Sequence, residues 1–236
     1  MKKYEAVLFD MDGTLVPMDQ DAFTKGYFKM LAKKLMHHGI APDALVAAIW
    51  DGTGCMVKND GSKKNEEVFW DRFEKTTGKK REDINPDCLD FYGNEFRASK
   101  QFTGENPYAV EAVETARKVA DHVVLATNPL FPMVGQVTRM GFVGLKPEDF
   151  DLVTSYETDS FCKPNPRYFL SVCERVGVKP ENCLLVGNDE YEDMYAGSKA
   201  GLNCYLITDT AIPSKEHPWE GMKGSFKDLI EFLKEA

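Results

Sequence analysis

The sequence predicts an α/β protein in which a parallel sheet, buried on both faces, is interrupted by an inserted all-helical domain. Three observations lead to this fold class. Short runs of β-branched and apolar residues recur along the 236-residue chain, and stretches of helical period lie between them. A long interval near the N-terminus contains helical patterns but almost no strand-like runs. Because strands that alternate with helices are joined by right-handed crossovers, we expect the strands to pair in parallel.

Five short apolar runs are the candidate strands. They are apolar along most of their length, as expected for a strand that is buried on both faces of a sheet. These runs are residues 6–9, 123–126, 152–153, 183–186 and 204–207. Two amphipathic stretches between them, residues 109–120 and 166–176, repeat apolar residues at helical spacing and are predicted to be helices.

The interval from residue 17 to residue 104 interrupts this alternation. Its helical patterns include a stripe at four-residue spacing, a second pattern that opens with proline, and a third pattern that is rich in aromatic residues. The residues concerned are Phe23, Tyr27, Leu31 and Leu35, then Pro42, Leu45 and Ile49, then Val68, Phe69 and Phe73. We therefore expect a core of residues 1–16 and 105–236 and a helical domain of residues 17–104, with Trp50 and Trp70 in its interior.

Composition excludes several classes of function. The formal net charge of −9 argues against a nucleic-acid surface, because phosphate backbones are bound by clustered lysine and arginine. No run approaches the ~18 apolar residues of a membrane span, and Asp10 and Asp12 interrupt the first apolar run too early for a signal peptide. We expect a cytoplasmic protein, either a monomer or a homodimer, that acts on a small molecule without contacting a membrane.

Reactive side chains follow the predicted strands. In a parallel α/β sheet, ligands bind beyond the carboxyl ends of the strands, so these positions are the first candidates for a site. The candidates are Asp10 and Asp12 after the first run, Thr127 and Asn128 after the second, Asn188, Asp189 and Asp193 after the fourth, and Lys163 before the helix at residue 166. Each has an ordinary structural explanation by itself, such as a turn or a helix cap, but their common position favours one site.

Together these groups suit phosphoryl transfer. Carboxylates held close together repel one another unless a cation lies between them, and Mg²⁺ is a hard ion that prefers oxygen ligands. One carboxylate can attack phosphorus while a second donates a proton to the leaving oxygen and later takes one from water. The hydroxyl of Thr127 and the ammonium of Lys163 would bind phosphoryl oxygens. The predicted cofactor is Mg²⁺, and the predicted substrate is a small phosphorylated metabolite.

With these residues in place, the sequence resembles the haloacid dehalogenase superfamily, whose members are mostly Mg²⁺-dependent phosphohydrolases. The most specific motif is an apolar strand followed by Asp10-Met-Asp-Gly-Thr-Leu15. Thr127, Lys163 before proline, and the segment 187–193 resemble the second, third and fourth family motifs. The resemblance implies a Rossmann-like core that carries a helical cap domain.

The resemblance also implies a role for each residue. Asp10 would be the nucleophile, and Asp12 the general acid and base whose backbone carbonyl also reaches the metal. Thr127, Lys163 and the adjacent Asn128 would bind the substrate phosphate. The fourth motif departs from the frequent family form because Asn188 directly follows the glycine. We favour Asp189 as the metal ligand. Asn188 and Asp193 are candidates to interact with the metal indirectly, through its ligands or a bound water.

Four functions compete at this point. Asp12 favours phosphate chemistry over dehalogenation, because family members that cleave carbon–halogen bonds generally lack this second carboxylate. A phosphatase is the first choice, a sugar phosphomutase that shares both aspartates is the second, and a phosphonatase that uses Lys58 as a Schiff base is the third. A phospho-accepting, Mg²⁺-binding signalling module is the non-enzymatic alternative, although such modules lack an inserted domain.

Overall fold

The computed structural model describes residues 2–236, and within them a six-stranded parallel sheet forms the centre of the protein. The strands are β1 (Tyr4–Phe9), β2 (Ala120–Leu125), β3 (Leu152–Val153), β4 (Cys183–Gly187), β5 (Asn203–Ile207) and β6 (Met222–Gly224). Their spatial order in the sheet is β3-β2-β1-β4-β5-β6. The predicted parallel α/β fold is confirmed, and the first five strands lie where the apolar runs predicted them.

Strand β1 is buried on both faces of this sheet. Val7 and Phe9 belong to one apolar cluster and Ala6 and Leu8 to another, because successive side chains of a strand point to opposite faces. Helices cover both faces: α5 (Ala109–Val119) and α9 (Phe226–Lys234) pack with the first cluster, and α7 (Pro166–Val176) and α8 (Ala196–Lys199) pack with the second. This double burial explains the continuously apolar sequence of the strand.

The register of the sheet aligns the carboxyl ends of its three central strands. Phe9 of β1 lies beside Leu125 of β2 and Val186 of β4. The residues that follow each of these partners therefore emerge at the same edge of the sheet, which is where ligands bind in folds of this kind.

The chain between β1 and α5 is helical throughout its regular elements. It contains α1 (Gln20–Leu35), α2 (Pro42–Val57), α3 (Asn65–Thr77), α4 (Arg81–Gly93) and a 3-10 helix (Glu95–Phe102). The two ends of this segment lie side by side. Met18 forms an antiparallel bridge with Thr103, and the Gly104 amide donates to the Pro17 carbonyl at 2.6 Å. We call residues 17–104 the helical segment.

Two features differ from the sequence expectations. Trp70 is buried as expected, but Trp50 is 54% exposed, so it does not lie in the interior of the helical segment. Strand β6 was not predicted, because Met222-Lys-Gly224 is a short edge strand without the apolar run of a central strand. The remaining core helix, α6 (Met133–Met140), follows β2 after a loop.

One bent pair of helices is the part of the described chain that approaches the length and composition of a membrane span. Within residues 2–236, none of the individual helices is both long and apolar enough to cross a bilayer. Gln20–His38 and Pro42–Val57 reach the required length and composition only when taken together, and they meet at an angle of 111°.

Candidate active site

Asp10 lies at the carboxyl end of β1, in the middle of the sheet, and is only 6% exposed. Its Oδ1 accepts a hydrogen bond from Lys163 Nζ at 2.7 Å, and its Oδ2 accepts one from Thr14 Oγ1 at 2.8 Å. Burial raises the pKa of the Asp10 carboxyl to about 7, although the Lys163 ammonium opposes this effect. The carboxyl group is therefore fixed in orientation, and its ionised form depends on cations placed beside it.

Lys163 joins two buried carboxylates beneath the sheet edge. Its Nζ donates to Asp10 and also to Asp193 Oδ1, each at 2.7 Å. Burial alone would lower the pKa of the Lys163 ammonium, but the charges of Asp10 and Asp193 raise it well above its ordinary value. A side chain on Gly187 would collide with Asp193, since a Cβ there would lie 2.4 Å from Oδ2. Lys163 is thus a permanently charged bridge in a closely packed site.

The turn after β1 is held against the fourth strand by Asn188. Gly13 has a φ of +88°, and a Cβ at this position would lie 2.2 Å from the Asn188 amide nitrogen. That amide donates to the Thr210 carbonyl at 2.8 Å, while Asn188 Oδ1 accepts from Thr14 Oγ1 at 3.2 Å. Glycine is therefore required at position 13 by both conformation and space, and both ends of the Asn188 amide are bound by protein groups.

Asp12 forms a partly buried ion pair that the sequence did not reveal. One of its oxygens binds the guanidinium of Arg139 from α6, while Oδ1 is buried without a hydrogen-bond partner among the described residues. The same guanidinium binds Gln136 and lies 4.0 Å from the ring of Phe131. Arg139 is fully buried. Asp12 thus has one fixed oxygen and one oxygen without a partner.

Thr127, which follows β2, has a backbone that is held by hydrogen bonds and a hydroxyl that is not. The Thr127 carbonyl accepts hydrogen bonds from Thr154 at 2.7 Å and Tyr168 at 2.8 Å, whereas its buried Oγ1 has no partner among the described residues. Thr127 does not cap α6, which begins six residues later at Met133. An unpaired buried hydroxyl is costly, so Thr127 is suited to donate to an oxygen of a ligand.

Asn128 connects the loop after β2 to two other parts of the site. Its Oδ1 accepts from the Lys163 amide at 3.2 Å, and its Nδ2 donates to Glu192 at 3.1 Å. Burial raises the pKa of the Glu192 carboxyl to about 7. Both Asn128 and Glu192 line the cavity above the carboxylates.

Asp189 and Asp193 differ in what their carboxylates bind. Asp189 caps a π-helix (Glu190–Tyr195), with Oδ1 accepting from the amides of Tyr191 and Glu192, and no described residue donates to its Oδ2. Asp193 instead binds Lys163 and accepts the amides of Asn188 and Asp189, each at 3.1 Å. Of the two carboxylates, Asp189 is therefore the one with an oxygen available for a ligand.

The oxygen atoms available at this edge fit a hard cation. Asp189 Oδ2 lacks a partner among the described residues, and no described residue donates to the Asp12 carbonyl. Mg²⁺ binds through one or two carboxylates and keeps further positions for water and phosphate. The carboxylates are not tightly clustered: in residues 2–236, the group with three side-chain donors within 4.8 Å of one another is His37, His38 and Asp87 of the helical segment.

The structure brings most of the predicted residues to one edge. Asp10, Asp193 and Lys163 are in direct contact, whereas Asp12, Asn128, Asn188 and Asp189 line the cavity together with Asp10 and Asp193. Thr127 and Lys163 lie beneath the cavity surface. Sequence reasoning missed Arg139, Gln136, Thr14 and Glu192. The three-residue spacing of Gln136 and Arg139 on one amphipathic helix was the available signal for a buried polar pair.

The family and its relatives can now be compared with this geometry. The model of the haloacid dehalogenase-like hydrolases matches residues 4–201. The chain is 33% identical over 88 residues to glyceraldehyde 3-phosphate phosphatase of Methanothermobacter thermautotrophicus, a match that spans 36% of this chain and 39% of that protein. It is 25% identical to phosphoglycolate phosphatase of Aquifex aeolicus, over 96% of this chain and 99% of the relative.

Solved structures agree with the fold. The magnesium-bound HAD-hydrolase YfnB from Bacillus subtilis aligns over 98% of this chain and 99% of its own, with a TM-score of 0.58 and 20% identity. At this identity the likeness concerns the fold, which phosphatases and dehalogenases of the family share. Because the family model covers most of the sequence, the chain belongs to the haloacid dehalogenase-like hydrolases.

Proposed function

We propose that the protein is a Mg²⁺-dependent phosphatase that hydrolyses a small phosphomonoester through an aspartyl-phosphate on Asp10. The observation that carries this proposal is the pair of carboxylates after β1. Asp10 is held between Lys163 and Thr14, and Asp12, two residues on, has one buried oxygen without a partner. A fixed carboxylate beside a second carboxyl group is the arrangement that nucleophilic and acid–base roles require.

In the first half-reaction, a carboxylate oxygen of Asp10 attacks phosphorus and the bond from phosphorus to the leaving oxygen breaks. The protonated Asp12 gives its proton to that oxygen, so the product leaves as a neutral alcohol. Arg139 holds one oxygen of Asp12, which directs the other oxygen to the proton transfer.

In the second half-reaction, the ionised Asp12 takes a proton from water. The resulting hydroxide attacks phosphorus, the bond from phosphorus to Asp10 breaks, and inorganic phosphate leaves. Asp10 returns as a carboxylate and Asp12 as an acid, so protons and bonds balance over one turnover.

Lys163 and Thr127, which lie beneath the cavity surface, would stabilise the negative charge on the phosphoryl group during transfer. The Lys163 ammonium is fixed by Asp10 and Asp193, and the unpaired Thr127 hydroxyl can donate to a phosphoryl oxygen. Asp10, Asp189 and the Asp12 carbonyl are the groups we propose to hold Mg²⁺. When bound, the ion would supply positive charge beside the phosphoryl oxygens.

The helical segment would act as a cap that excludes water from the phosphoenzyme. Its side chains form the upper wall of the cavity above Asp10 and Asp12. The names of the two relatives compared above, both phosphatases, support the same reaction class. Asp12 supports it against dehalogenation, which needs no proton donor to an alkoxide.

The alternatives receive less support from the structure. A phosphonatase would need a lysine inside the cavity, whereas Lys58 is exposed and outside it. A phosphomutase would need cations for a second phosphate, and within residues 2–236 the single lysine or arginine of the cavity wall is Arg139, which is paired with Asp12.

Phosphate release from a panel of phosphomonoesters, measured with and without Mg²⁺, tests the proposal. We expect turnover that EDTA stops and added Mg²⁺ restores, and a fall on the order of 10⁴-fold or more in Asp10→Asn. Asp21→Asn, an exposed change on α1, serves as the matched control and should retain activity. Stoichiometric labelling without turnover would instead indicate a signalling module, and retained activity in Asp10→Asn would disprove the nucleophile assignment.

A further inference from the structure

The cavity above the carboxylates extends into the helical segment and has a volume of about 350 Å³. Its floor contains Asp10, Asp12 and Asp189, and its roof is formed by α1, α2 and α3 together with Cys88 and Tyr92 of α4. This volume falls at the lower end of the range for small-molecule pockets. One space therefore joins the proposed phosphoryl-transfer groups to the interior of the helical segment.

The roof of this cavity is apolar because three helices turn their apolar stripes toward it. Four-residue spacing puts Phe23, Tyr27, Leu31 and Leu35 on one face of α1, and the same spacing puts Leu45, Ile49, Thr53 and Val57 on one face of α2. Helix α3 adds Phe69, Trp70 and Phe73. These stripes, which predicted buried helices, therefore also line a cavity that is large enough for a ligand.

The polar groups on the roof are uncharged and lie among apolar side chains. Gln20 and Thr24 belong to α1, Thr53 is the single polar member of the α2 stripe, and Trp70 Nε1 is buried without a partner among the described residues. Burial raises the pKa of the Tyr27 and Tyr92 hydroxyls, so both stay neutral. A sugar would contact apolar side chains over most of the roof, and each of its hydroxyls left without a partner there costs binding free energy.

Positive charge is also missing from the roof. Among the described residues that line the cavity, Arg139 is the only lysine or arginine. Its charge is paired with Asp12 through Nη1 and its Nη2 binds Gln136, whereas Nε has no partner among the described residues. The lysines of the loop between α2 and α3 are directed elsewhere: Lys63 pairs with Asp71, and Lys64 donates to the Thr158 carbonyl. A second anionic group on a substrate would find the carboxylates of the floor and no countercharge.

We infer that the cavity takes the apolar, uncharged leaving group of a phosphomonoester, an alkyl or aromatic alcohol, and selects against sugar phosphates and substrates with a second anionic group. This inference rests on the proposed phosphatase activity. An apolar leaving group would remove apolar surface from water on both sides and gain packing contacts with the side chains of the roof. The phosphate would lie on the floor with Asp10, and the organic group would lie between α1, α2 and α3.

Hydrolysis of matched esters by the wild-type protein with Mg²⁺ tests the inference. Along ethyl, butyl and hexyl phosphate, kcat/KM should rise by about fourfold per methylene until the cavity is full. Benzyl phosphate should exceed glucose 6-phosphate, which is also an ester of a primary alcohol, by about tenfold or more. A flat alkyl series, or a preference for glucose 6-phosphate or 2-phosphoglycolate, would overturn the inference.

Acetyl phosphate separates this inference from the proposed function, because its small leaving group does not reach the roof. Steady Mg²⁺-dependent hydrolysis of acetyl phosphate together with a flat alkyl series leaves the phosphatase proposal intact and refutes the apolar pocket. No hydrolysis of any ester or of acetyl phosphate refutes the phosphatase proposal, and with it this inference.

Two variants on α2 provide a matched comparison. Ile49→Asn places an amide in the roof, and Val46→Asn makes the same kind of change on a residue of α2 that does not line this cavity. Ile49→Asn should lower kcat/KM for hexyl phosphate by about tenfold, whereas Val46→Asn should match the wild type. Equal losses of hexyl phosphate and acetyl phosphate hydrolysis in Ile49→Asn would contradict the placement of the leaving group beside Ile49.

Discussion

Arg139 binds Asp12 across a sequence separation of 127 residues, and it does so from a fully buried position on α6. Gln136 and the ring of Phe131 also contact the guanidinium, whose Nε has no hydrogen-bond partner among the described residues. The carboxylate assigned to proton transfer is thus oriented by a cation that is itself held by other side chains of the protein. Arg139 is a positioning residue in this scheme.

Replacement of Arg139 by methionine should lower kcat because it releases Asp12 from its fixed orientation. General acid–base catalysis contributes about 10²–10⁴-fold, and we expect a loss of about tenfold to 100-fold in steady-state phosphate release. Arg139→Lys keeps the charge but cannot bridge Asp12 and Gln136, so its kcat should be intermediate. Arg97→Met, an exposed arginine change, is the control. A lower Tm with unchanged kcat would show that Arg139 is only structural.

Asp12→Asn should slow formation and hydrolysis of the phosphoenzyme by about 10²–10⁴-fold each, because an amide can neither give nor take the required proton. Its backbone carbonyl is unchanged, so Mg²⁺ binding should persist. Rapid-quench measurement of the two steps, together with calorimetric titration of Mg²⁺, tests this expectation. If only KM changes, Asp12 contributes to substrate binding and the acid–base assignment is wrong.

Lys163→Met should destabilise the protein, because it leaves Asp10 and Asp193 buried without their cation. Removing one partner of a buried ion pair costs about 3–5 kcal/mol in free energy of unfolding. The Lys163 charge lowers the pKa of Asp10, so without it Asp10 stays protonated to higher pH. The loss in free energy of unfolding should therefore shrink as the pH falls from 8 to about 7 and stay nearly constant below that, where Asp10 is protonated in both proteins.

Urea unfolding at pH 5 and pH 8 measures this effect. Lys63→Met removes the exposed pair with Asp71 and is the matched control, with an expected change below about 1 kcal/mol at both values. A Lys163→Met deficit as small as that of the control would show that Asp10 and Asp193 do not need the lysine cation.

Mg²⁺ affinity should rise with pH and level off above about pH 7. Burial raises the pKa of Asp10 to about 7 and also raises the pKa of Asp189. Where a proton occupies a group that must bind the cation, binding displaces that proton and weakens by up to about tenfold per pH unit for each proton displaced. Isothermal titration calorimetry in two buffers of different ionisation enthalpy measures the number of protons that Mg²⁺ binding releases. Asp10→Asn should reduce the slope, and constant affinity from pH 5.5 to 8 would contradict the assignment.

The strand and the local motif around Asp10 could be predicted because the information is contiguous. The run 6–9 is apolar on every residue, and the sheet buries both of its faces. The edge strand β6 could not be predicted, since its three residues have no apolar pattern and form a strand only by pairing with β5. Whether such a segment forms a strand depends on its tertiary contacts and not on its local propensity.

In the candidate site, too, contiguous motifs could be predicted, whereas contacts between distant parts of the chain could not. Asp10 and Lys163 follow recognisable patterns, but their direct contact depends on the folded sheet edge. The Arg139–Asp12 pair had no local motif, because each residue looks like an ordinary charged side chain until the fold buries the arginine. The apolar stripe of α1 indicated burial correctly, but sequence periodicity cannot separate a packed interface from the wall of a ligand cavity.

Helix α6 links the helical segment to proton transfer. Its buried face carries Arg139, which orients Asp12, while Thr138 Oγ1 donates to the Tyr92 carbonyl of α4 at 2.7 Å. A Cβ on Gly135 would lie 3.2 Å from the Tyr92 ring, so α4 rests directly on this helix. Tyr92 therefore lines the cavity roof and also contacts α6, the helix whose Arg139 binds Asp12. The wall that would contact a leaving group and the side chain that orients Asp12 thus rest on the same eight-residue helix.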